Sequence, residues 1–151
     1  MTICRLAQED MPDILALWKK QGDVLGIPFR NTINKLIDDG TFFCIRNNGR
    51  LIAMCGYKIM KRHPEIRITK LCVDEEYRNR GLAISLLQHI VLITSVLDLD
   101  AYAECKDGAD NNNFYDKFGE MVSIKECKTM KIRRYKINKS AVEEYKEKNI
   151  K

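Results

Sequence analysis

The stretch YRNRGLAISLL, residues 77–87, brings together two arginines, a glycine and an alanine. An apolar, β-branched run, IRITKLCV, ends just before it, and the residues after Gly81 have helical spacing. The cluster is therefore predicted to lie where a strand passes into a helix. A helix begins with N–H groups that lack a partner and with the positive end of its dipole. Because Gly81 lets a ligand approach the main chain and Arg78 and Arg80 add charge, we predict a phosphate or pyrophosphate site.

This segment matches neither usual nucleotide-binding pattern, since it contains no GxxxxGKS or GxxxxGKT and no GxGxxG. A tight turn with solvated arginines is the alternative interpretation of the cluster taken alone. The sequence around the cluster is needed to distinguish an anion site from such a turn.

The chain has 151 residues, of which 45% are hydrophobic, and no repeat, low-complexity tract or linker divides it. One domain is therefore predicted for residues 1–139, followed by a charged C-terminal helix or tail at 140–151. Ser140 and Glu143 have the spacing of a capping box for that helix. The N-terminal residues lack the features of a secretory signal, and the longest apolar run has about half of the ~20 residues that cross a bilayer. We expect a cytoplasmic protein without a membrane partner.

Six cysteines are spread singly, and no spacing of Cys and His fits a zinc site. We expect reduced thiols and no metal. The charge is uneven, because the segment KECKTMKIRRYKINK, 125–139, is strongly basic within a net charge of +5. Such a run is usually a solvated strand face, but it also fits RNA or another polyanion as a partner.

Closely spaced elements predict a mixed α/β sheet of about six to seven strands with helices on both faces. An Asn-Gly pair at 48–49, between two apolar runs, is a strong hairpin signal. In the following strand, EIRITKLCV, the apolar positions slip by one residue between Ile68 and Leu71. A β-bulge near Thr69 or Lys70 would restore a common face.

A parallel crossover unit is predicted from this strand, the helix after Gly81 and the strand LDAYAEC. A short helix around NNNFYDKFG and a final hairpin follow it. The outer edge of that hairpin is open to pairing, so a homodimer is one possible assembly.

The segment LCVDEEYRNRGLAISLL resembles the acyl-CoA binding motif of the GNAT N-acetyltransferase superfamily. That motif is Q or R, then xxGx, then G or A, and it follows an apolar LxV. In this chain it reads Arg78, Gly81 and Ala83 after Leu71 and Val73. Farther on, NNNFYDKFG resembles the family's FYxKxG landmark. The order of elements is similar along nearly the whole chain.

This resemblance implies a GNAT-like fold with a bulged, splayed central strand, and acetyl-CoA as co-substrate. Amides at 78–83 would hold the pyrophosphate, and main-chain groups at 71–73 would pair with the pantetheine arm. Gly108 replaces an asparagine that the family often shows, so either Asn111 or Asn112 serves the cofactor instead, or no residue does. The cofactor-binding residues expected on this basis are Leu71, Cys72, Val73, Arg78, Asn79, Arg80, Gly81, Leu82, Ala83 and Asn112.

The activity that the resemblance implies is acetyl transfer from CoA to a primary amine, which attacks the thioester directly. Tyr115 would protonate the leaving thiolate as the general acid. Glu104, near the carboxyl end of the strand beside the gap, is our candidate for the base, with Glu65 or His63 as alternatives. Arg67 lies near the position where some family members carry a base, and it cannot serve as one.

Two other functions stay open on the sequence alone. The replaced asparagine and Arg67 are compatible with a non-catalytic module that binds CoA or a partner. The basic segment 125–139 is compatible with an RNA-directed acetyltransferase. The acceptor is also open, since a small amine, a protein N-terminus, a lysine and an RNA-linked amino acid all fit.

Overall fold

The computed structural model describes the backbone of residues 2–21, 25 and 27–150, and the side chains of these residues as far as 145. In these ranges the strands are β1 Ile3–Arg5, β2 Phe42–Asn47, β3 Arg50–Met60, β4 Glu65–Val73, β5 Ala101–Lys106, β6 Gly119–Glu126 and β7 Lys131–Ile137. The α-helices are α1 Met11–Lys20, α2 Arg30–Asp38, α3 Leu82–Thr94, α4 Asn112–Phe118 and α5 Lys139–Ile150. Short 3-10 turns at Gln8–Asp10, Glu75–Tyr77 and Ser95–Leu97 connect some of them.

The strands form one sheet in the order β1-β2-β3-β4-β5-β7-β6. Its described strand pairs are antiparallel except β4 with β5, which are parallel and joined through α3. The predicted crossover unit and the mixed sheet with helices on both faces are confirmed. The Asn-Gly turn between β2 and β3 is confirmed too, with positive φ at both residues.

The sheet separates two apolar cores because successive side chains of a strand point to opposite faces. Phe42 of β2 belongs to the core under α1 and α2, together with Trp18 and Leu36. Its neighbour Phe43 belongs to the core under α3, together with Leu86. Helix α3 is apolar nearly all round, and α5 covers its outer side.

The predicted bulge lies in β4. Met54 pairs with Cys72 and Gly56 with Thr69, so two residues of β4 oppose the single residue between them on β3. One of the two, Lys70, has a φ of 58° in the left-handed region. On the other side, β4 pairs with β5 only as far as Ile68. Beyond that point the two strands have separated, and we call this divergence the fork.

The C-terminal helix differs from the prediction at its start. Helix α5 begins at Lys139, and the side chain of Asn138 accepts a hydrogen bond of 3.0 Å from the Ala141 amide. The proposed capping box at Ser140 and Glu143 is therefore wrong, because an asparagine two residues earlier already caps the helix. Val142 is fully buried, so the start of α5 packs on the core. A domain boundary at 139 stays a prediction.

Other expectations concern the surface and the cysteines. No helix in the described ranges is long and apolar enough to span a membrane. All six cysteines are free thiols, but only four are buried, since Cys4 and Cys127 are exposed. Strand β6 is an exposed edge strand, and a homodimer formed there stays a prediction.

Candidate active site

A cavity of about 600 Å³ lies between the splayed end of β4, the start of α3 and helix α4. Leu71, Cys72 and Val73 line it from β4, and Tyr115 lines it from α4. Because β5 does not pair with this part of β4, main-chain groups on that edge are available to a ligand. The cavity is therefore a cleft with one wall made of open strand edge.

The start of α3 forms a second wall and is suited to an anion. Its N-cap is Gly81, with a φ of 78° and no side chain to cap the first amides. No acidic residue lies in the first turn. Asn79 also has a left-handed φ, of 64°, so the turn before the helix brings successive amides to one side. Unpartnered amides at the positive end of a 13-residue helix bind phosphate groups well.

The two arginines of this turn differ in position. Arg78 lines the cavity, and its guanidinium donates to the Gln21 side chain at 2.7 Å and to the Val73 carbonyl at 3.3 Å. Arg80 instead lies over the ring of Tyr77, 5.0 Å from its centroid. Arg78 is thus on the cavity side of the turn and Arg80 is not, and a contact of either arginine with the co-substrate stays a prediction.

Tyr115 is buried and held by other aromatic rings. Its ring stacks on Tyr135 at 5.6 Å between centroids and meets Phe114 edge-on at 5.3 Å. Burial raises the pKa of the phenol above its usual value, and the thiols of Cys55 and Cys105 raise it further. The neutral, protonated form is therefore favoured at pH 7, as a proton donor requires.

The loop before α4 separates the two candidate asparagines. Asn112 accepts a hydrogen bond from the Gly108 amide at 2.7 Å and donates to the Lys106 carbonyl at 3.0 Å. Its contacts thus support the loop, and a role in binding the cofactor stays a prediction. Asn111 lines the cavity, and its Oδ1 is buried without a hydrogen-bond partner among the described residues.

Glu104 and Tyr115 are on opposite faces of β5. Cys105, next to Glu104, packs in the same core as Tyr115, so the alternation of the strand turns Glu104 to the other face. There its carboxylate is 3.4 Å from the Arg67 guanidinium. The alternative base Glu65 is more tightly engaged, since it accepts two bonds from Arg134 at 2.7 and 2.8 Å.

Metal and thiol chemistry find little support in the site. Among the described residues no group of three or more potential ligands could hold a metal ion. Cys72 lines the cavity, but burial raises the pKa of its thiol to about 12. A thiol with such a pKa is protonated at neutral pH and is a poor nucleophile.

The structure brings most of the predicted residues together. Eight of the ten expected cofactor-binding residues line the cavity, as does Tyr115, whereas Arg80, Asn112 and Glu104 are not part of its lining. Sequence reasoning gave no role to Gln21 or Tyr145, which also line it. No local motif marks either residue, since Gln21 comes to the site from the end of α1 and Tyr145 from the middle of α5.

The profile of the Acetyltransferase (GNAT) family matches residues 3–119. This match covers most of the chain, and the chain therefore belongs to the GNAT acetyltransferase family. No curated protein sequence matches it.

Solved structures share the fold at low sequence identity. N-acetylglutamate synthase from Neisseria gonorrhoeae, complexed with coenzyme A and N-acetyl-glutamate, has a TM-score of 0.74 and 17% identity, over 90% of this chain and 35% of that one. Ribosomal-protein-alanine N-acetyltransferase from Brucella melitensis has a TM-score of 0.72 and 14% identity, over 90% and 98% of the two chains. An N-acetyltransferase from Staphylococcus aureus has a TM-score of 0.71 and 15% identity, over 90% and 96%.

The family resemblance, the fold class and the enzyme class predicted from the sequence are thus confirmed. The chain is an N-acetyltransferase by family, with acetyl-CoA as co-substrate. The residues that hold the co-substrate, the proton-transfer groups and the acceptor are not decided by this match.

Proposed function

We propose that this protein transfers an acetyl group from acetyl-CoA to a primary amine, with Tyr115 as general acid and Glu104 as the acceptor of the amine proton. The observation that carries the proposal is the cavity at the fork. It joins the splayed strand, the start of α3 and Tyr115 in one space. In the proposal, main-chain groups at 71–73 bind the pantetheine arm and amides at 78–83 bind the pyrophosphate.

The polar groups of the cavity fit this co-substrate. Asn111 Oδ1 is a buried acceptor without a described partner, and a buried polar atom normally has one. The amide N–H groups of a pantetheine arm are donors of the type that it lacks. The absence of acidic residues from the first turn of α3 agrees with a polyanionic ligand at that end.

Acetyl-CoA supplies an acetyl group that is activated as a thioester. Tyr115 holds a proton at its hydroxyl because burial raises its pKa, and it would give that proton to the sulfur as the C–S bond breaks. The acceptor nitrogen provides the electron pair of the new N–C bond and loses one proton to Glu104, directly or through a water. Both side chains then return to their starting state by exchange with solvent.

The test is the release of free thiol from acetyl-CoA with a panel of amines, for the wild type and Tyr115→Phe. The substitution keeps the ring packing on Tyr135 and removes only the proton donor. Loss of a general acid lowers kcat by about 100-fold or more. Tyr57→Phe is the matched control, because its ring stacks on Phe43 outside the cavity.

Unchanged kcat in Tyr115→Phe would show that another group protonates the sulfur. A different result would favour the non-catalytic alternative, namely a rise in melting temperature with acetyl-CoA but no thiol release with any amine. If acetyl-CoA produces neither heat in calorimetry nor a thermal shift, the proposal fails.

The RNA-directed alternative gains little from the structure. In the basic segment 125–139, Arg133 pairs with Asp107, and Arg134 pairs with Glu65 at 2.7 Å. Charges neutralised within the protein contribute less to binding a polyanion. RNA as a partner stays a prediction, and a steep loss of RNA binding between low and moderate salt would support it.

A further inference from the structure

A group of cations lies at the fork on the face of the sheet opposite the cavity. Ile66 and Ile68 of β4 face the core under α3, so Arg67 between them faces the other side. Lys58 of β3 is the Cα partner of Arg67 and shares that face. Lys70, in the bulge, places its ammonium 4.8 Å from the centroid of the Trp18 ring. We call Lys58, Arg67 and Lys70 the cationic face.

The cationic face has fewer anions than cations around it. Glu104 is 3.4 Å from Arg67, and Glu65 is 3.9 Å from it but is closer to Arg134. In the part of the chain that the structure describes, two carboxylates therefore meet four cations, namely the cationic face and Arg134. Among the described residues, no carboxylate pairs with Lys58 or Lys70.

Two further observations indicate that this excess is not compensated locally. The Nε atom of Arg67 is buried and has no hydrogen-bond partner among the described residues. Burial lowers the pKa of Lys70, and the nearby charge of Lys58 lowers it further. A buried donor without a partner and two mutually repelling ammonium groups would both be stabilised by an anion.

The position of the cationic face indicates which molecule would carry the stabilising anion. In the proposed function the acetyl donor occupies the cavity on the α3 side, so an amine in direct attack has to come from the opposite face. There the fork opens just beyond Ile68, next to Arg67. A group within a few bonds of the attacking nitrogen would contact the cationic face.

We propose that the acceptor carries an anionic group, a carboxylate or a phosphate, within a few bonds of its amine, and that the cationic face binds it. This inference rests on the proposed function. The same charges disfavour acceptors with a second cationic group, such as polyamines, because they would bring like charges together.

The kinetic test compares acceptors that differ only in the anion. Alanine is compared with alaninamide, and O-phosphoethanolamine with ethanolamine, which separates a carboxylate from a phosphate. We expect kcat/KM to be about tenfold higher for the anionic member of at least one pair, as one added charge-assisted hydrogen bond would give. The amine of alaninamide is less basic than that of alanine, which by itself raises kcat/KM for the neutral acceptor. The first comparison is therefore biased against the proposal.

The variant Arg67→Gln tests the assigned residue. It should raise KM for the preferred anionic acceptor about tenfold more than KM for its neutral counterpart, because any effect through the neighbouring Glu104 acts on both acceptors alike. Arg62→Gln is the matched control, since Arg62 is an exposed arginine in the turn between β3 and β4. Equal kcat/KM for both members of both pairs overturns the inference while leaving the proposed function in place.

A binding measurement separates the two proposals. Trp18 is the single tryptophan of the chain, and Lys70 lies over its ring. An anion that attracts the Lys70 ammonium should change the fluorescence of Trp18 in a saturable titration.

N-acetylalanine, N-acetylalaninamide and O-phosphoethanolamine are the probes. A saturable change with at least one anionic probe, absent with N-acetylalaninamide and weakened about tenfold in Arg67→Gln, supports the inference even if no acetyl transfer is found. No saturable change with either anion, or the same change with N-acetylalaninamide, overturns it.

Discussion

The two halves of β4 have different neighbours and, as a result, different uses. Ile66–Ile68 pair with β3 on one side and with β5 on the other. Leu71–Val73 lie beyond the bulge, and β5 no longer pairs with them. Both halves contain apolar, β-branched residues, so composition does not separate them. One additional residue in the strand, opposite Cys55, separates a closed part of the sheet from an open one.

The difference shows how an ordinary sheet acquires a binding cleft. In the paired half, the hydrogen-bonding groups of the main chain are used within the sheet. In the splayed half, one edge is free for a ligand that adds to it like a strand. In the proposed function, the neighbouring start of α3 provides amides for the anionic end of the same ligand.

Deletion of Lys70 should abolish the difference between the paired and the splayed half of β4. Its effect on acetyl-CoA affinity should be the largest of the changes considered. Thr69, Leu71 and Cys72 would then oppose Gly56, Cys55 and Met54 one to one, and the cause of the divergence would be gone. We expect the affinity for acetyl-CoA to fall by at least about 100-fold, or ~2.7 kcal/mol. Isothermal calorimetry measures it, and circular dichroism establishes that the variant is folded.

The control for the deletion is Lys70→Gly. It keeps the additional residue and suits the left-handed φ of 58° at this position. Acetyl-CoA should bind to it about as well as to the wild type. If the folded deletion variant also binds normally, the bulge is not what opens the cleft.

Gly81→Ala tests the anion-binding wall of the splayed half and should have an intermediate effect. Gly81 has a φ of +78°, and an added Cβ would meet Ile84 only at an ordinary 3.8 Å. The substitution thus adds backbone strain of about 1–2 kcal/mol rather than a clash. Because relief of that strain would move the first amides of α3, we expect about tenfold weaker binding of acetyl-CoA by calorimetry.

Gly49→Ala is a matched control for that strain. Gly49 has a φ of +81° in the β2–β3 turn, and an added Cβ has no neighbour within 4 Å. Both alanine variants should lose similar stability in urea denaturation, but only Gly81→Ala should lose affinity. Equal affinity in the two variants would mean that the start of α3 does not hold the pyrophosphate.

The smallest effect is expected at the end of the splayed half, where Asp74 fixes β4 to its surroundings. Its buried carboxylate accepts bonds from Arg50 at 2.9 Å and from the Glu76 amide at 3.1 Å. Burial tends to raise its pKa, but the Glu76 amide and the charges of Lys20 and Arg50 outweigh burial and lower it. A pKa below the unfolded value of about 3.9 means that this stabilisation is present above that pH.

The Asp74 stabilisation is therefore lost as the pH falls through the lowered pKa of the folded protein. Asp74→Asn should cost about 1–2 kcal/mol in the free energy of unfolding at pH 7. The difference from the wild type should shrink as the pH is lowered below the unfolded value of about 3.9, because protonation of Asp74 removes the charge that is stabilised in the folded protein. Urea denaturation at pH 7 and at a pH below that value measures this, and an equal difference at both would contradict it.

Features that depend on local pattern could be predicted from the sequence. The Asn-Gly hairpin and the bulge are examples, because turn chemistry and the phase of apolar positions act over a few residues. The turn before α3 belongs to the same group. The motif that carried the family resemblance is itself such a local pattern.

Features that depend on which of several neighbouring side chains makes a contact, or on residues distant in sequence, could not be predicted. The sequence does not show which of two adjacent asparagines does what. In the structure Asn112 bonds within its own loop, whereas Asn111 lines the cavity. Nor does the sequence show that Asn138 replaces Ser140 as the helix cap. The sequence favours a solvated basic segment, whereas Arg134 of that segment forms an ion pair with Glu65 of β4.

The short contact between β4 and β5 has a further consequence for the whole molecule. Strands β1 to β4 form one antiparallel part of the sheet and β5 to β7 another, and three residue pairs between β4 and β5 join the two parts. Apolar side chains of α3, such as Leu86 and Ile90, belong to the same buried core as Ala101 and Ala103 of β5. Helix α3, which presents its amides to the candidate anion site, thus also packs in the core beside the β4–β5 junction. We expect a ligand bound at its start to stabilise that junction.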